Sequence, residues 1–262
     1  MSSDLALDVA RHLPFLRRYA RALSGDQRMG DALVAASLKQ LLADQSRIQR
    51  DALRVSLYRS LTGVCSQAVM GNGAQAEGGA AENEGIVAQA VSRLAGARRQ
   101  TLLLATLEGF SPTQIATIMG QPEEHIRQEL NAGKRELRQQ PPTSILIIED
   151  EPVIALDIAH TVGESGHRVT GIATTHREAV ELAQADPPGL VLADIQLSDD
   201  SSGIDAVREI LEHYRLPVVF ITAFPDRLLT GERPEPAFLI TKPFEPETLD
   251  VAISQALAAY RG

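Results

Sequence analysis

Residues 145–151 read ILIIEDE, four apolar residues followed by three carboxylates. A short apolar run of this kind is typical of a strand that is buried on both faces of a parallel sheet. Similar runs follow it, separated by amphipathic segments with a helical period, at 168–173, 189–194, 217–222 and 237–241. The alternation predicts an α/β domain over residues 144–262, with a doubly wound sheet of five parallel strands between helices.

Polar residues stand where these runs end. Ligands of such sheets bind beyond the carboxyl ends of the strands, so residues that follow different strands meet at one edge. The residues concerned are Glu149, Asp150, Glu151, Asp194, Thr222, Lys242 and Pro243. Crowded carboxylates need a cation, and hard oxygen ligands suit Mg²⁺, which leaves room for phosphoryl oxygens. A carboxylate beside Mg²⁺ can attack phosphorus, while the lysine balances the phosphoryl charge and the threonine hydroxyl hydrogen-bonds it.

This half resembles the receiver domain of two-component response regulators. The resemblance lies in IIEDE, LADIQL, FITAF and ITKPF, which begin at residues 147, 192, 220 and 240. It implies the flavodoxin-like strand order 2-1-3-4-5 and a sensor histidine kinase as phosphoryl donor. Carried over position by position, it makes Asp194 the phosphoacceptor. The implied Mg²⁺ ligands are Glu149, Asp150, Asp194 and the backbone carbonyl of Gln196, and the implied phosphoryl contacts are Thr222 and Lys242, followed by Pro243.

Two positions depart from the usual receiver pattern. Glu149 stands where Asp is commoner, and its extra methylene lets it act through a water molecule. Leu239 stands where many receivers carry a switching aromatic residue. The segment from Phe224 to Pro236 contains three prolines and one glycine, which leaves room for only a short helix. We expect this segment to move when the receiver is phosphorylated, because it has little local helix stability.

The first 138 residues have helical patterns instead. Amphipathic stripes predict helices at 13–23, from beyond Gly25 to about Ala43, at 51–68 and at about 99–108. Residues 71–85, GNGAQAEGGAAENEG, have no apolar period and predict a flexible linker. Pro141 and Pro142 prevent a helix from continuing and indicate a boundary. The predicted division is helical domains at 1–70 and 86–138, linkers at 71–85 and 139–143, and the α/β domain at 144–262.

Residues 111–138 have the pattern of a helix-turn-helix. Ser111 and Gln114 fit a capping box with Pro112 at the first helical position, and Gly120 supplies the turn. The expected core positions are Ile115 and Met119 in the first helix and Ile126, Leu130 and Leu137 in the second.

The second helix of this motif begins with exposed residues that fit DNA poorly. They are Glu123, Glu124, Arg127 and Gln128. DNA affinity comes mainly from neutralised phosphates, yet residues 93–138 have a net charge of only +2. A helix that begins in this way must find its affinity elsewhere than in phosphate contacts.

The helical half resembles extracytoplasmic-function (ECF) sigma factors. LSGDQRMGDALVAASLKQLL, residues 23–42, resembles their second conserved region. TLLLATLEGFSPTQIATIMGQPEEHIRQELNAGKREL, residues 101–137, resembles the fourth. Promoter-opening regions stack exposed aromatic side chains on flipped bases. Residues 1–85, however, contain no aromatic residues other than Phe15, Tyr19 and Tyr58.

With a sigma-like half before a receiver, the whole chain resembles the PhyR-type general stress response regulators. The resemblance implies a phosphorylation-activated anti-anti-sigma factor. Phosphorylation of Asp194 would free the sigma-like domain to sequester a small anti-sigma factor of the NepR type. That step would release an ECF sigma factor for general stress transcription. The resemblance makes the exposed residues at the start of the second helix of the helix-turn-helix, Glu123, Glu124, Arg127 and Gln128, candidates for binding the anti-sigma factor.

Two alternatives stay open. The first is a receiver-gated transcriptional regulator that binds DNA through the helix-turn-helix at 111–138, and it requires salt-sensitive, sequence-specific DNA binding. The second is a phosphatase with Asp194 as nucleophile, and it requires a substrate pocket. We expect neither: the predicted protein is not an enzyme beyond self-dephosphorylation, binds no DNA and no membrane, and is a monomer.

Composition and charge agree with this interpretation. Residues 1–140 have a net charge of +3 and residues 141–262 a net charge of −12, so a mildly basic half precedes a strongly acidic one. The single cysteine, Cys65, allows no intrachain disulfide, and none of the six histidines stands at a metal-ligand spacing. No stretch reaches the roughly 18 apolar residues of a membrane span, and the N-terminus is no signal peptide. We therefore expect a cytoplasmic protein.

Overall fold

The computed structural model of the chain describes residues 3–72, 96–137, 141–197, 202–225 and 238–261. These residues form two compact units, the first within residues 1–134 and the second from residue 135 onward. The predicted linker at 71–85 lies, beyond Asn72, outside the described residues, and so does the expected moving segment beyond Pro225.

The first unit is helical. Two short 3₁₀ turns, Gln45–Arg47 and Arg50–Ala52, separate its second and third helices. The helices are α1 (Ser3–Ser24), α2 (Gln27–Ala43), α3 (Leu53–Asn72), α4 (Ala97–Thr106), α5 (Pro112–Met119) and α6 (Glu123–Leu137). The predicted helices are thus present, but α1 begins well before residue 13, with Pro14 inside it, because Leu5 and Val9 continue its buried stripe.

Local residues explain where these helices begin and end. Gly25, at φ 72°, ends α1, and the Asp26 carboxylate accepts the N–H of Met29 at 2.8 Å to begin α2. Ser111 and Gln114 form the predicted capping box of α5, which ends at Gly120 with φ 64°. A left-handed conformation at such a position favours glycine because it has no Cβ.

Helices from both parts of the first unit share one core. Helix α1 packs on α2, α3 and α4, while α3 also packs on α5. The Tyr58 ring joins the parts, because it lies 5.4 Å from the Tyr19 ring centroid and 4.9 Å from that of Phe110. Ile115 and Ile126 are fully buried as expected.

Three expected core residues of the helix-turn-helix are only partly buried. They are Met119, Leu130 and Leu137. Ile118 takes the core place expected for Met119, because α5 buries positions three residues apart. In α6 the buried position after Ile126 is Gly133, where the helix backbone approaches Leu102 of α4.

The second unit is an α/β sandwich. Its elements are β1 (Ser144–Ile148), α7 (Pro152–Glu164), β2 (Arg168–Ala173), α8 (His176–Ala185), β3 (Leu190–Ala193), α9 (Gly203–His213), β4 (Val218–Thr222), β5 (Phe238–Thr241) and α10 (Pro246–Arg261). The strands are parallel and in the order β2-β1-β3-β4-β5. This confirms the predicted fold class and strand order.

The register of the sheet brings the strand ends level. Ile148 pairs with Ala173 on one side and Ala193 on the other, and Thr222 pairs with Thr241. Each of these residues ends its strand, so the residues that follow lie beside one another at one edge.

Candidate functional site

The polar residues predicted at the strand ends come together at this edge of the sheet. Hydrogen bonds between neighbouring strands continue for one residue beyond the strand ends. The N–H of Asp194 donates to the carbonyl of Ile148 at 2.8 Å, and the N–H of Lys242 donates to the carbonyl of Thr222 at 2.8 Å. The N–H of Glu149 donates to Ala173 at 2.9 Å. The three charged side chains are therefore positioned by the sheet itself and not by a loop.

Lys242 is the positive centre of the site. Its Nζ lies 2.6 Å from Oδ2 of Asp194 and 2.8 Å from Oε2 of Glu149, and Glu151 stands further out at 3.8 Å. The Lys242 and Glu149 side chains are 11 % and 1 % exposed. Burial lowers the pKa of Lys242, but its hydrogen bonds to Asp194 and Glu149 outweigh that effect and leave the pKa raised. The ammonium therefore stays charged at neutral pH.

The pKa of Glu149 is raised, and the cause is mainly burial. The ammonium of Lys242 offsets part of the rise, while the charge of Asp194 adds to it. A carboxylate in this position gains from any further cation that approaches it.

Asp194 presents a carboxylate held on both oxygens. Its Oδ1 accepts the backbone N–H of Ile195 at 2.5 Å and that of Gln196 at 3.4 Å, while Oδ2 contacts Lys242. The residue faces a cleft of about 330 Å³. The cleft is lined by Asp150, Glu151, Asp194, Gln196, Leu197, Thr222, Ala223, Phe224 and Lys242.

The carboxylates of Glu149, Asp150 and Asp194 fit a hard divalent cation. Each offers an oxygen, and these atoms all lie within 4.8 Å of one another. The single ammonium of Lys242 does not balance three carboxylates, so the cluster has excess negative charge. Oxygen ligands in this number, beside an open cleft, suit Mg²⁺ with some of its waters retained. Gln196, predicted to contribute its carbonyl, lies in the cleft wall.

Thr222 and Leu239 occupy the places expected for them. The Thr222 side chain is buried, and its hydroxyl oxygen accepts the N–H of Phe224 at 3.1 Å, which leaves its proton able to donate. Leu239 is fully buried in β5 opposite Phe220. Pro243 follows Lys242 through a cis peptide bond.

One residue of the site was missed in the sequence. Gly203 begins α9, and its N–H donates to the carbonyl of Ile195 at 3.0 Å. A Cβ at this position would overlap the backbone carbonyl oxygen of Asp194. The only signal in the sequence is a glycine directly after a helix-capping serine, Ser202, before an amphipathic segment.

The four candidate partner-binding residues lie together at the start of α6 and pair with one another. Glu123 accepts from Arg127 at 2.6 Å and from Thr113 at 2.8 Å, and Gln128 donates to Glu124 at 3.3 Å. The hydrogen bond from Arg127 lowers the pKa of Glu123, so this carboxylate is ionised at neutral pH. The negative charge of Glu123 offsets the positive charge of Arg127, so this end of the helix has little attraction for phosphate.

The two tyrosines of α1 and α3 are also unsuited to DNA. Tyr19 and Tyr58 are both 0 % exposed, so neither ring can stack on a flipped base. Among the described residues, no helix combines the length and apolar character needed to cross a membrane.

Protein-family models match both halves of the chain. "Sigma2 domain of PhyR" matches residues 9–62, "Response regulator PhyR, sigma-like domain" matches 91–140, and "Response regulator receiver domain" matches 145–254. The phyllosphere-induced regulator PhyR of Methylorubrum extorquens is 45% identical over 253 residues, which cover 95% of this chain and 92% of that protein. The chain belongs to the PhyR family.

Solved PhyR structures agree with this assignment. PhyR from Brucella abortus is 43% identical, with a TM-score of 0.82 over 98% of this chain and 95% of that chain. The anti-anti-sigma factor PhyR from Bartonella quintana is 45% identical, with a TM-score of 0.81 over 95% of this chain and 94% of that chain. The predicted membership among PhyR-type regulators is confirmed.

Proposed function

We propose that this PhyR family member is a phosphorylation-activated anti-anti-sigma factor. One observation carries the proposal: the same chain joins a receiver with an acidic edge to a sigma-like unit in which Glu123 offsets the charge of Arg127 and both Tyr19 and Tyr58 are buried. The relative from Bartonella quintana, described as an anti-anti-sigma factor, supports the same function. The proposed partner is a small anti-sigma factor of the NepR type, and the proposed domains keep the boundaries 1–70, 86–138 and 144–262.

The proposed chemistry is transfer of a phosphoryl group to Asp194. A carboxylate oxygen of Asp194 forms the bond to phosphorus, and the bond from phosphorus to a histidine nitrogen of the kinase breaks, with its electron pair staying on that nitrogen. Mg²⁺, held by Glu149, Asp150 and Asp194, would supply charge neutralisation for the phosphoryl oxygens. Nζ of Lys242 already lies 2.6 Å from Oδ2 of Asp194, so the ammonium is beside the carboxylate that would carry the phosphoryl group.

The phosphoryl group changes the charge of the site and the hydrogen bond of Thr222. Phosphorylation replaces the single negative charge of the Asp194 carboxylate with a phosphoryl group of charge about −2, which also brings three acceptor oxygens. The Thr222 hydroxyl can donate to one of them, and Phe224, which bonds to the same hydroxyl oxygen, then moves with it. Phe224 is 52% exposed and begins the segment that we expect to move. In the phosphorylated state the sigma-like unit sequesters the anti-sigma factor and an ECF sigma factor is released.

Glu123, Glu124, Arg127 and Gln128 are the proposed contacts for the anti-sigma factor. The hydrogen bonds that pair these residues with one another are exposed. They therefore contribute little to stability and exchange readily for contacts with a partner. A DNA-binding function is not supported, because the charge of Glu123 offsets that of Arg127 and because Tyr19 and Tyr58 are buried. Since sigma factors act on RNA polymerase, the proposal places the protein in the cytoplasm, as a regulator without catalytic activity of its own.

Affinity capture from native cytoplasm tests this proposal. The tagged full chain is used with Mg²⁺, with and without beryllofluoride as phosphoryl mimic, and Asp194→Ala is the matched control. We expect a small anti-sigma factor to be captured only with the mimic and with Asp194 intact. Capture of promoter DNA or core RNA polymerase instead would refute the proposal.

A further inference from the structure

The Glu108 side chain is a fully buried carboxylate in the first unit. It lies between α4 and α5, far along the chain from its partners. Its Oε1 accepts from Arg18 of α1 at 2.9 Å and 3.2 Å, and its Oε2 accepts from the hydroxyl of Tyr58 of α3 at 2.5 Å. One side chain thus connects three segments of the chain.

Further contacts hold residues 107–110, the segment between α4 and α5 that contains Glu108. Arg18 also donates to the backbone carbonyl of Leu107 at 2.8 Å. Arg54 of α3 donates to the carbonyl of Glu108, and its guanidinium lies 4.2 Å from the centroid of the Phe110 ring. Every one of these contacts joins the N-terminal module, helices α1–α3, to the helix-turn-helix module, helices α4–α6.

A carboxylate buried in this way holds the two modules at a fixed spacing. It is stable inside the protein only while its cationic and hydroxyl partners surround it, so a shift of the modules that removed these partners but kept the carboxylate buried would leave an uncompensated charge. The modules therefore have one preferred spacing. A cleft of about 480 Å³ depends on that spacing, because it is lined by Gln40, Arg59 and Gln67 from one module and by Ile118, Met119 and Gly120 from the other.

Asp31 provides an internal comparison. This carboxylate of α2 accepts from Arg17 at 3.0 Å and 3.1 Å and from Arg21 at 3.0 Å. Both arginines belong to α1, so the cluster has similar chemistry but stays within the N-terminal module. It stabilises that module without fixing its distance from the helix-turn-helix module.

We propose that Glu108 is a positioning residue that fixes the two modules as one preorganised face for the anti-sigma factor. This inference rests on the proposed function. A partner that contacts both modules binds more tightly when their spacing is already set, because less conformational entropy is lost on binding. Glu108 acts through the spacing of the modules and, being buried, not through contact with the partner.

The test compares Glu108→Ala, Glu108→Gln and Asp31→Asn in the full chain. Spin labels on exposed Lys39 and Thr117, in a Cys65→Ser background, report the distance between the modules. Circular dichroism verifies that the helices remain. The affinity of a NepR-type anti-sigma factor is measured with Mg²⁺ and beryllofluoride. Glutamine keeps the size of the side chain and its hydrogen-bonding oxygen while removing its charge, so it covers the case in which the alanine variant fails to fold.

We expect the distance distribution to broaden and the affinity to fall by about tenfold in Glu108→Ala, with a smaller change in the same direction in Glu108→Gln. Asp31→Asn should keep the distance and leave the affinity within about twofold. A narrow distribution and unchanged affinity in folded Glu108→Ala, or tighter binding, would overturn the inference. Loss of mimic-dependent binding in the wild-type chain would instead reject the proposed function. The distances between the spin labels would still show whether Glu108 fixes the spacing of the modules.

Discussion

The substitution Gly203→Ala tests how the backbone holds the phosphoacceptor. An alanine Cβ at this position would overlap the backbone carbonyl oxygen of Asp194, and a backbone atom cannot turn away as a side chain can. Overpacking of this kind costs about 1–3 kcal/mol of unfolding free energy. The gain that alanine brings to a helix is about 0.5–1 kcal/mol and is smaller than this cost. The difference between these two ranges is about 0–2.5 kcal/mol, and because the obstructing atom belongs to the backbone we expect a net destabilisation of about 1–2.5 kcal/mol.

Gly163→Ala is the matched control. Gly163 lies in α7, and an added Cβ would meet nothing within 4 Å, so the same change should stabilise the protein by up to about 1 kcal/mol. Urea unfolding of the full chain, followed by circular dichroism, gives both free energies, and hydrogen exchange of residues 190–197 localises the effect. We also expect slower phosphorylation of Gly203→Ala, because its Asp194 backbone is displaced. Equal stability of the two variants would refute the reasoning.

Three further predictions concern the site, the ion pairs of Asp31 and the surface. Asp150→Ala should reduce phosphorylation by acetyl phosphate at least about tenfold, as should removal of Mg²⁺ with EDTA, because either change removes the cation that would neutralise the phosphoryl oxygens. Retained labelling in both cases would exclude the carboxylate cluster as the metal site. Burial raises the pKa of Asp31, but the hydrogen bonds from Arg17 and Arg21 outweigh it, so the folded pKa is lowered. The stabilisation is therefore complete above the unfolded value of about 3.9 and is lost as pH falls through the folded pKa. Thermal unfolding should show Asp31→Asn less stable than wild type at pH 7 and the difference shrinking toward pH 3, and a constant difference would contradict the assignment. The double variant Glu123→Lys, Glu124→Lys should weaken anti-sigma binding about fivefold or more and should add salt-sensitive, nonspecific DNA binding; unchanged affinity for the anti-sigma factor would remove these residues from the interface.

The receiver fold and its acidic edge could be predicted from the sequence because each strand is a continuous apolar run followed by its own functional residue. Once the sheet is parallel, Glu149, Asp194, Thr222 and Lys242 must lie at the same edge. Gly203 could not be found in this way, because its importance comes from the close approach of the Asp194 carbonyl, a contact that leaves no periodic signal.

The helical half was less predictable, for two physical reasons. Helical periodicity does not distinguish Ile118 from Met119, since both fall near the buried side of a short helix, and packing decides between them. The pairing of Glu108 with Arg18 joins positions 90 residues apart. Nothing in the local sequence marks Glu108 as buried, because a carboxylate enters the core only when distant cationic and hydroxyl partners meet it there.

In the proposed mechanism, phosphorylation of Asp194 makes this chain take the anti-sigma factor away from the sigma factor. The most direct measurement starts from a purified complex of NepR-type anti-sigma factor and fluorescently labelled ECF sigma factor, to which the full chain is added with Mg²⁺ and acetyl phosphate. Anisotropy reports release of the labelled sigma factor. We expect release by the phosphorylated wild-type chain and none by Asp194→Ala or without acetyl phosphate. Equal release by Asp194→Ala, or no release by the phosphorylated wild type, would contradict the account.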